Sequence, residues 1–149
     1  MAKKSKKQAG RSSAKPAART TGTRPDVASF FEAKLEAEWG PYDLKRALDT
    51  RAADIVVLDT RTADAFDEEH LPQAINIPTE QLERRLSEIP RSKDVVPYCW
   101  SITCHLATRA ALLLARKGYR VHELAGGIGM WKDHEFPVVS ARKAEPALR

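Results

Sequence analysis

The sequence predicts an α/β fold, in which helices flank a mostly parallel sheet, and three observations carry that prediction. The run Ile55-Val56-Val57-Leu58 is apolar without alternation, the pattern of a strand buried on both faces. Further short apolar runs follow at 74–77, 95–98 and 121–124. Helix-spaced apolar stripes lie between them, and strands that alternate with helices argue for a parallel sheet. With 149 residues, the chain can bury the core of one such domain.

The chain divides into a basic tail over 1–25, a domain over 26–142 and a C-terminal tail over 143–149. After Met1 the first segment has no large aliphatic or aromatic side chain, so it cannot bury enough apolar surface to offset the entropy of ordering. It is read as disordered. Order is expected to begin near Asp26, with Phe30, Phe31 and Leu35 at helical spacing. Tyr42, Leu44 and Leu48 suggest a second short helix after Gly40-Pro41. Leu82, Leu86 and Ile89 form a helical stripe for which Thr79 is the expected N-cap. Residues 106–117 form another helix, with Gly118 as its stop. Pro97 is the awkward residue, because it sits inside a strand and has no N–H to give a sheet ladder.

Charge is distributed unevenly. The first 24 residues hold eight of the 25 Lys and Arg (Lys3, Lys4, Lys6, Lys7, Arg11, Lys15, Arg19 and Arg24) and none of the 20 Asp and Glu, which leaves a mildly acidic body. Three readings of the tail stand side by side: weak contact with nucleic acid or an acidic partner, a solubilising extension, or an organellar transit peptide. No window reaches the roughly 18 consecutive apolar residues of a membrane span. The basic start is not followed by the apolar stretch of a signal peptide, so the expected location is cytoplasmic. The two cysteines, Cys99 and Cys104, would close only a tiny loop as a disulfide, which argues against a scaffold role.

In an open α/β sheet, ligands bind beyond the carboxyl ends of the strands. Cys99 ends the third strand, and the segment Trp100-Ser101-Ile102-Thr103-Cys104-His105 leads from it into the next helix. Backbone N–H groups at such a helix start favour negative charge, so the position suits a nucleophilic thiolate. A buried structural cysteine is the competing reading. Cys104 is either a resolving thiol or an inert one, and His105 either tunes Cys99 or caps a turn. Cys99, Cys104 and His105 lack a credible fourth ligand for zinc. No metal or other cofactor is expected.

From Val56 to Val139 the sequence resembles a rhodanese-homology domain. Val57-Leu58-Asp59-Thr60-Arg61 is similar to the family's first-strand signature, and Glu69-His70-Leu71-Pro72-Gln73-Ala74 to its E-G-H-I-P-G-A motif. Val96-Pro97-Tyr98-Cys99 resembles the strand that delivers the catalytic cysteine. Gly126-Gly127-Ile128-Gly129-Met130-Trp131, followed by Phe136-Pro137-Val138, resembles the closing G-G-x-x-x-W helix and exit. Several motifs in order make a specific signal where one alone would be weak.

The resemblance implies a three-layer rhodanese-like fold and a sulfurtransferase in which Cys99 carries sulfur as a persulfide. Thiosulfate or a protein persulfide would be the donor, and cyanide, a small thiol or a protein cysteine the acceptor. Asp59 and Arg61 would orient the loops around the site as a buried pair, and His70 would be structural. The loop departs from the usual pattern, because it is longer and Leu106 stands where an arginine is expected. It is similar to a bacterial variant of the type C-W-G-P-x-C-N-G-A-T, matched at Cys99-Trp100 and Cys104, with the glycines absent. With no Arg or Lys to neutralise an oxyanion, phosphatase chemistry is not expected and thiosulfate is disfavoured as donor. Trp100 and Ile102 are expected to form an apolar mouth. The competing functions are a binding or regulatory module without turnover and a redox sensor built on Cys99 and Cys104.

Overall fold

Each residue of the strand Ile55–Asp59 (β2) is buried, and its side chains divide between two cores. Ile55 and Val57 join one apolar cluster, Val56 and Leu58 the other. The strand Asp94–Tyr98 (β4) repeats the division, with Val96 and Tyr98 on the first side and Val95 on the second. A computed structural model of the chain describes residues 26–140; both tails lie outside them.

The first core is covered by the helices Pro41–Arg51 (α2) and Gly127–Asp133 (α5), through Leu44, Ala47, Ile128 and Trp131. The second is covered by the 3-10 segment Thr79–Glu88 and the helix Leu106–Arg116 (α4), through Leu82, Ala110 and Leu114. Helices therefore sandwich a four-stranded parallel sheet. With Ile75–Asn76 as β3 and Arg120–Val121 as β5, its order is β3-β2-β4-β5. No helix among the described residues is long and apolar enough to cross a membrane.

The order of elements follows the sequence reading, and local details differ for physical reasons. The run at 121–124 is not one strand. It breaks at His122, whose N–H still donates to Val95 O at 3.0 Å. The chain then leaves the sheet, and Glu123–Leu124 (β6) pairs with Glu38–Trp39 (β1) in a separate parallel ladder. The stripe at Leu82, Leu86 and Ile89 lies on a 3-10 turn rather than an α-helix, with Pro78 at its N-cap position. Thr79 does not cap it; its hydroxyl donates instead to Leu106 O at 3.2 Å.

Pro97 is tolerated because of where the sheet ends. Val95 O accepts from His122 and Tyr98 O from Thr60, so odd-numbered residues of β4 face β5 and even-numbered ones face β2. β5 ends at Val121, opposite Val95, so the missing N–H of Pro97 points past the end of that neighbour. A short helix, Ala63–Glu68 (α3), was not expected; Thr62 caps it by accepting from Ala65 N at 3.4 Å. The first helix, Val27–Ala37 (α1), forms where Phe30, Phe31 and Leu35 suggested, with Asp26 as its N-cap, yet buries none of its residues.

Gly118 ends α4 as expected. At φ +83 it supplies the left-handed residue of a Schellman motif, with Gly118 N to Ala115 O at 2.9 Å and Tyr119 N to Leu114 O at 3.1 Å.

Candidate active site

β4 and α4 place Cys99 at the sheet's carboxyl end, with the 100–105 loop curled above it. The residue is only 2% exposed. Cys104 N donates to Ser101 O at 3.0 Å and folds the loop back on itself. That turn brings Cys104 beside Cys99, whose Sγ donates to Cys104 O at 3.2 Å. Both thiols are free.

The thiolate-stabilising cradle expected at this position is outweighed. Burial pushes the Cys99 thiol up from its ordinary value, the neighbouring Cys104 thiol adds to this, and the N–H groups of Ala107 and Ser101 only partly oppose it. Cys104 moves the other way. Burial opposes its ionisation, but a hydrogen bond from Cys99 and the N–H groups of Leu106 and Trp100 hold it below the usual thiol value.

Cys99 opens into a cavity of about 410 Å³ lined also by Ile102, Cys104, His105, Glu123 and Gly126. Among the described residues lining it, Lys34 is the one Lys or Arg, and its ammonium is already 2.5 Å from the Glu38 carboxylate. Glu38 and Glu123 stand opposite each other in the β1–β6 ladder and also line it. Another hollow, of about 360 Å³, lies beside α2 and is lined by Trp39, Asp43 and Arg46 without a cysteine.

On the other flank of the loop stands a buried polar network. Arg61 grips Asp59 through Nε at 3.0 Å and Nη2 at 2.7 Å, and Nη2 also donates to Glu69 O at 2.7 Å. Tyr98 OH donates to the same carboxylate at 2.5 Å and accepts from Leu71 N at 3.1 Å. Burial, reinforced by the Asp59 charge, pushes the Tyr98 phenol far up, so it stays a donor. The Arg61 guanidinium lies 4.5 Å from the centre of the Trp100 ring. Trp100 therefore caps Arg61 and does not line the Cys99 cavity, which corrects the expectation of an apolar mouth made with Ile102. Ile102 does line the cavity, 75% exposed.

The remaining loop residues take lesser places. Ser101 lines the cavity and shares a 3.1 Å hydroxyl contact with Thr103, which does not. His105 holds the N-cap position of α4 through its backbone; its side chain makes no capping bond. His70 stacks on Phe66 at 3.8 Å, and its Nδ1 meets Phe66 O at 2.8 Å, away from the cavity. Among the described residues, no three His, Cys, Asp or Glu side chains cluster to hold a metal.

Sequence reasoning missed two contributions. Ile128 N donates to Cys99 O at 2.9 Å and Gly129 N to Trp100 O at 3.0 Å, so α5 clamps the base of the loop. A Cβ on Gly127 would fall 2.3 Å from Cys99 O, and its φ of +57 disfavours other residues as well. The Gly-Gly-x-Gly run was the signal for that close approach. Lys34, Glu38, Thr108 and Glu123 carry no comparable signal, because tertiary packing alone brings them to the cavity.

Residues 40–134 match the Rhodanese-like domain family. A sulfurtransferase of Allochromatium vinosum is 36% identical over 97 residues, covering 64% of this chain and 87% of that protein. An HTH-type transcriptional regulator of Mycobacterium tuberculosis is 32% identical over 87 residues, covering 58% of this chain but 38% of the regulator. The crystal structure of the BH2092 protein from Bacillus halodurans superposes with a TM-score of 0.72 at 34% identity, covering 77% of this chain and 85% of that one.

Proposed function

This chain belongs to the rhodanese-like family, and from that premise we propose that it is a sulfurtransferase whose Cys99 carries the sulfur as a persulfide. One observation supports the reading above the others: a free, buried cysteine at the end of β4, opening into a cavity, where the backbone of Ala107 and Ser101 favours its thiolate. In the first half-reaction the Cys99 thiolate attacks the sulfane sulfur of a donor. With thiosulfate the S–S bond breaks, sulfite leaves with the electron pair and Cys99 keeps the sulfur. In the second, cyanide or a thiolate attacks the outer sulfur and frees Cys99. The same backbone groups would hold the persulfide anion.

The cavity's charge bears on the donor. Thiosulfate is a dianion, and the lining offers Glu38 and Glu123 with a lysine already paired. A persulfide brings at most one negative charge to the sulfur that is transferred, and we propose an organic or protein persulfide as the better donor. Two free thiols within one cavity suit a reducing compartment such as the cytoplasm. Asp59 and Arg61 serve as positioning residues that hold the loop through Trp100 and Tyr98.

Steady-state kinetics test this reading. Varying donor at several cyanide concentrations should give the parallel lines of a ping-pong reaction, with glutathione persulfide preferred to thiosulfate. Cys99→Ser should lower turnover by about three orders of magnitude or more. Full turnover in that variant would remove Cys99 from the chemistry.

A second reading has its own support. The likeness to part of an HTH-type regulator, together with a loop without arginine, fits a recognition module that does not turn over. A chain that takes up no sulfur from any donor while Cys99 stays free would favour it. The basic tail, proposed to contact nucleic acid or an acidic partner weakly, lies outside the described residues.

A further inference from the structure

The loop contains a second thiol that the transfer reaction does not use. We infer that Cys104 is a resolving residue: it discharges the Cys99 persulfide as hydrosulfide by closing a Cys99–Cys104 disulfide. This rests on the persulfide reading above and adds a second fate for the sulfur.

Geometry carries the argument. The Ser101–Cys104 turn sets Cys104 against Cys99, with Cys99 Sγ 3.2 Å from Cys104 O, and both residues line the same cavity. Cys104 is half-buried where Cys99 is almost wholly buried, so the second thiol is the more accessible. No other cysteine exists in the chain to compete with it.

The ionisation of the pair favours the same direction of attack. The backbone of Leu106 and Trp100 favours a thiolate at Cys104, and it does so whether or not Cys99 carries the outer sulfur. In a persulfide the attacked sulfur is chosen partly by the leaving group, and the more acidic conjugate acid leaves faster. Attack on the outer sulfur would expel Cys99, a poor leaving group here. Attack on the inner sulfur expels hydrosulfide, whose conjugate acid is more acidic than an ordinary thiol. The Cys104 carbonyl already lies 3.2 Å from that inner atom, and both residues line the same cavity.

The step balances without an outside oxidant. The Cys104 thiol gives its proton to the outer sulfur of the persulfide anion and its own sulfur bonds to Cys99 Sγ; the bond from Sγ to the outer sulfur breaks, and that sulfur leaves with the electron pair as HS⁻. The sulfane sulfur is reduced to sulfide as the two cysteines are oxidised to a disulfide. An external dithiol must then reopen the disulfide before another cycle.

The test is a single turnover of the full-length, reduced chain with one equivalent of glutathione persulfide and no acceptor, followed by alkylation and mass analysis. Wild type should release hydrosulfide and end about 2 Da lighter than its reduced form, with a peptide linked through Cys99 and Cys104. Cys104→Ser and Cys104→Ala should instead keep a gain of about 32 Da on Cys99, with a lifetime at least about tenfold longer. Equal persulfide lifetimes in wild type and both variants, with no linked peptide in wild type, would overturn the inference and leave the persulfide reading standing. Failure of every chain to take up sulfur would overturn both. The linked peptide is sought in the unmutated protein, so the test does not depend on how the variants fold.

Discussion

The two flanks of the Cys99 loop are built from opposite materials. On one side, Trp100 caps a buried network of Asp59, Arg61 and Tyr98, in which Asp59 and Arg61 have no exposed side-chain surface. On the other, Cys99 and Cys104 face an open cavity whose one lysine is tied to a glutamate. The family resemblance leads one to expect an arginine in the loop itself. Here Arg61 is buried behind the loop instead, stacked under Trp100. The buried charges hold the scaffold, and the cavity meets the substrate with thiols and an excess of carboxylate.

Breaking the sealed flank should have the largest effect on folding. Arg61→Met leaves the Asp59 carboxylate buried without its partner, and loss of one member of such a pair costs about 3–5 kcal/mol. Urea denaturation measures it. A loss below about 1 kcal/mol would mean that the network is looser than its hydrogen bonds indicate.

Next comes the clamp between α5 and the loop. In Gly127→Ala the new methyl would press on Cys99 O and sit at an unfavourable φ, costing about 1–3 kcal/mol. Because the affected carbonyl belongs to Cys99, turnover should fall further than denaturation alone accounts for, when both are measured at a temperature where the variant is folded. Unchanged turnover would show that the clamp does not position the sulfur.

The smallest and most diagnostic effect lies within the open flank. Near neutral pH, iodoacetamide should label Cys104 before Cys99, because Cys104 holds more thiolate there. Labelling of Cys99 in a Cys104→Ser chain should rise about tenfold per pH unit through the neutral range, as expected for a thiol raised above its ordinary value. A flat profile across that range would place the Cys99 ionisation lower than its burial implies.

Much of the fold was legible because its signals are local. Ile55–Leu58 reads as a doubly buried strand from composition alone, and Gly118 ends α4 through its own conformation. The break at His122 was not legible. It depends on β6 finding β1, a partner more than 80 residues earlier in the chain, as the His122 ring contact with Glu36 O at 2.9 Å also records. The exposure of Phe30 and Phe31 was hidden for the same reason, since helical spacing reveals a face and not what covers it.

At the site, position was readable and electrostatics were not. The place of Cys99 at a strand end before a helix could be read from the pattern of elements, but the direction of its shift depends on how deeply the sheet buries it. Trp100 looked like part of a mouth because nothing in its neighbourhood announces a cation; Arg61 reaches it only through the tertiary fold.

The central claim is that Cys99 holds the sulfur, and intact-mass spectrometry with peptide mapping tests it most directly. Wild type and Cys104→Ser, each treated with glutathione persulfide or thiosulfate and quenched at early times, should gain about 32 Da on Cys99, and cyanide should remove it. If neither donor adds sulfur to either chain while Cys99 remains a free thiol, the sulfurtransferase account is contradicted.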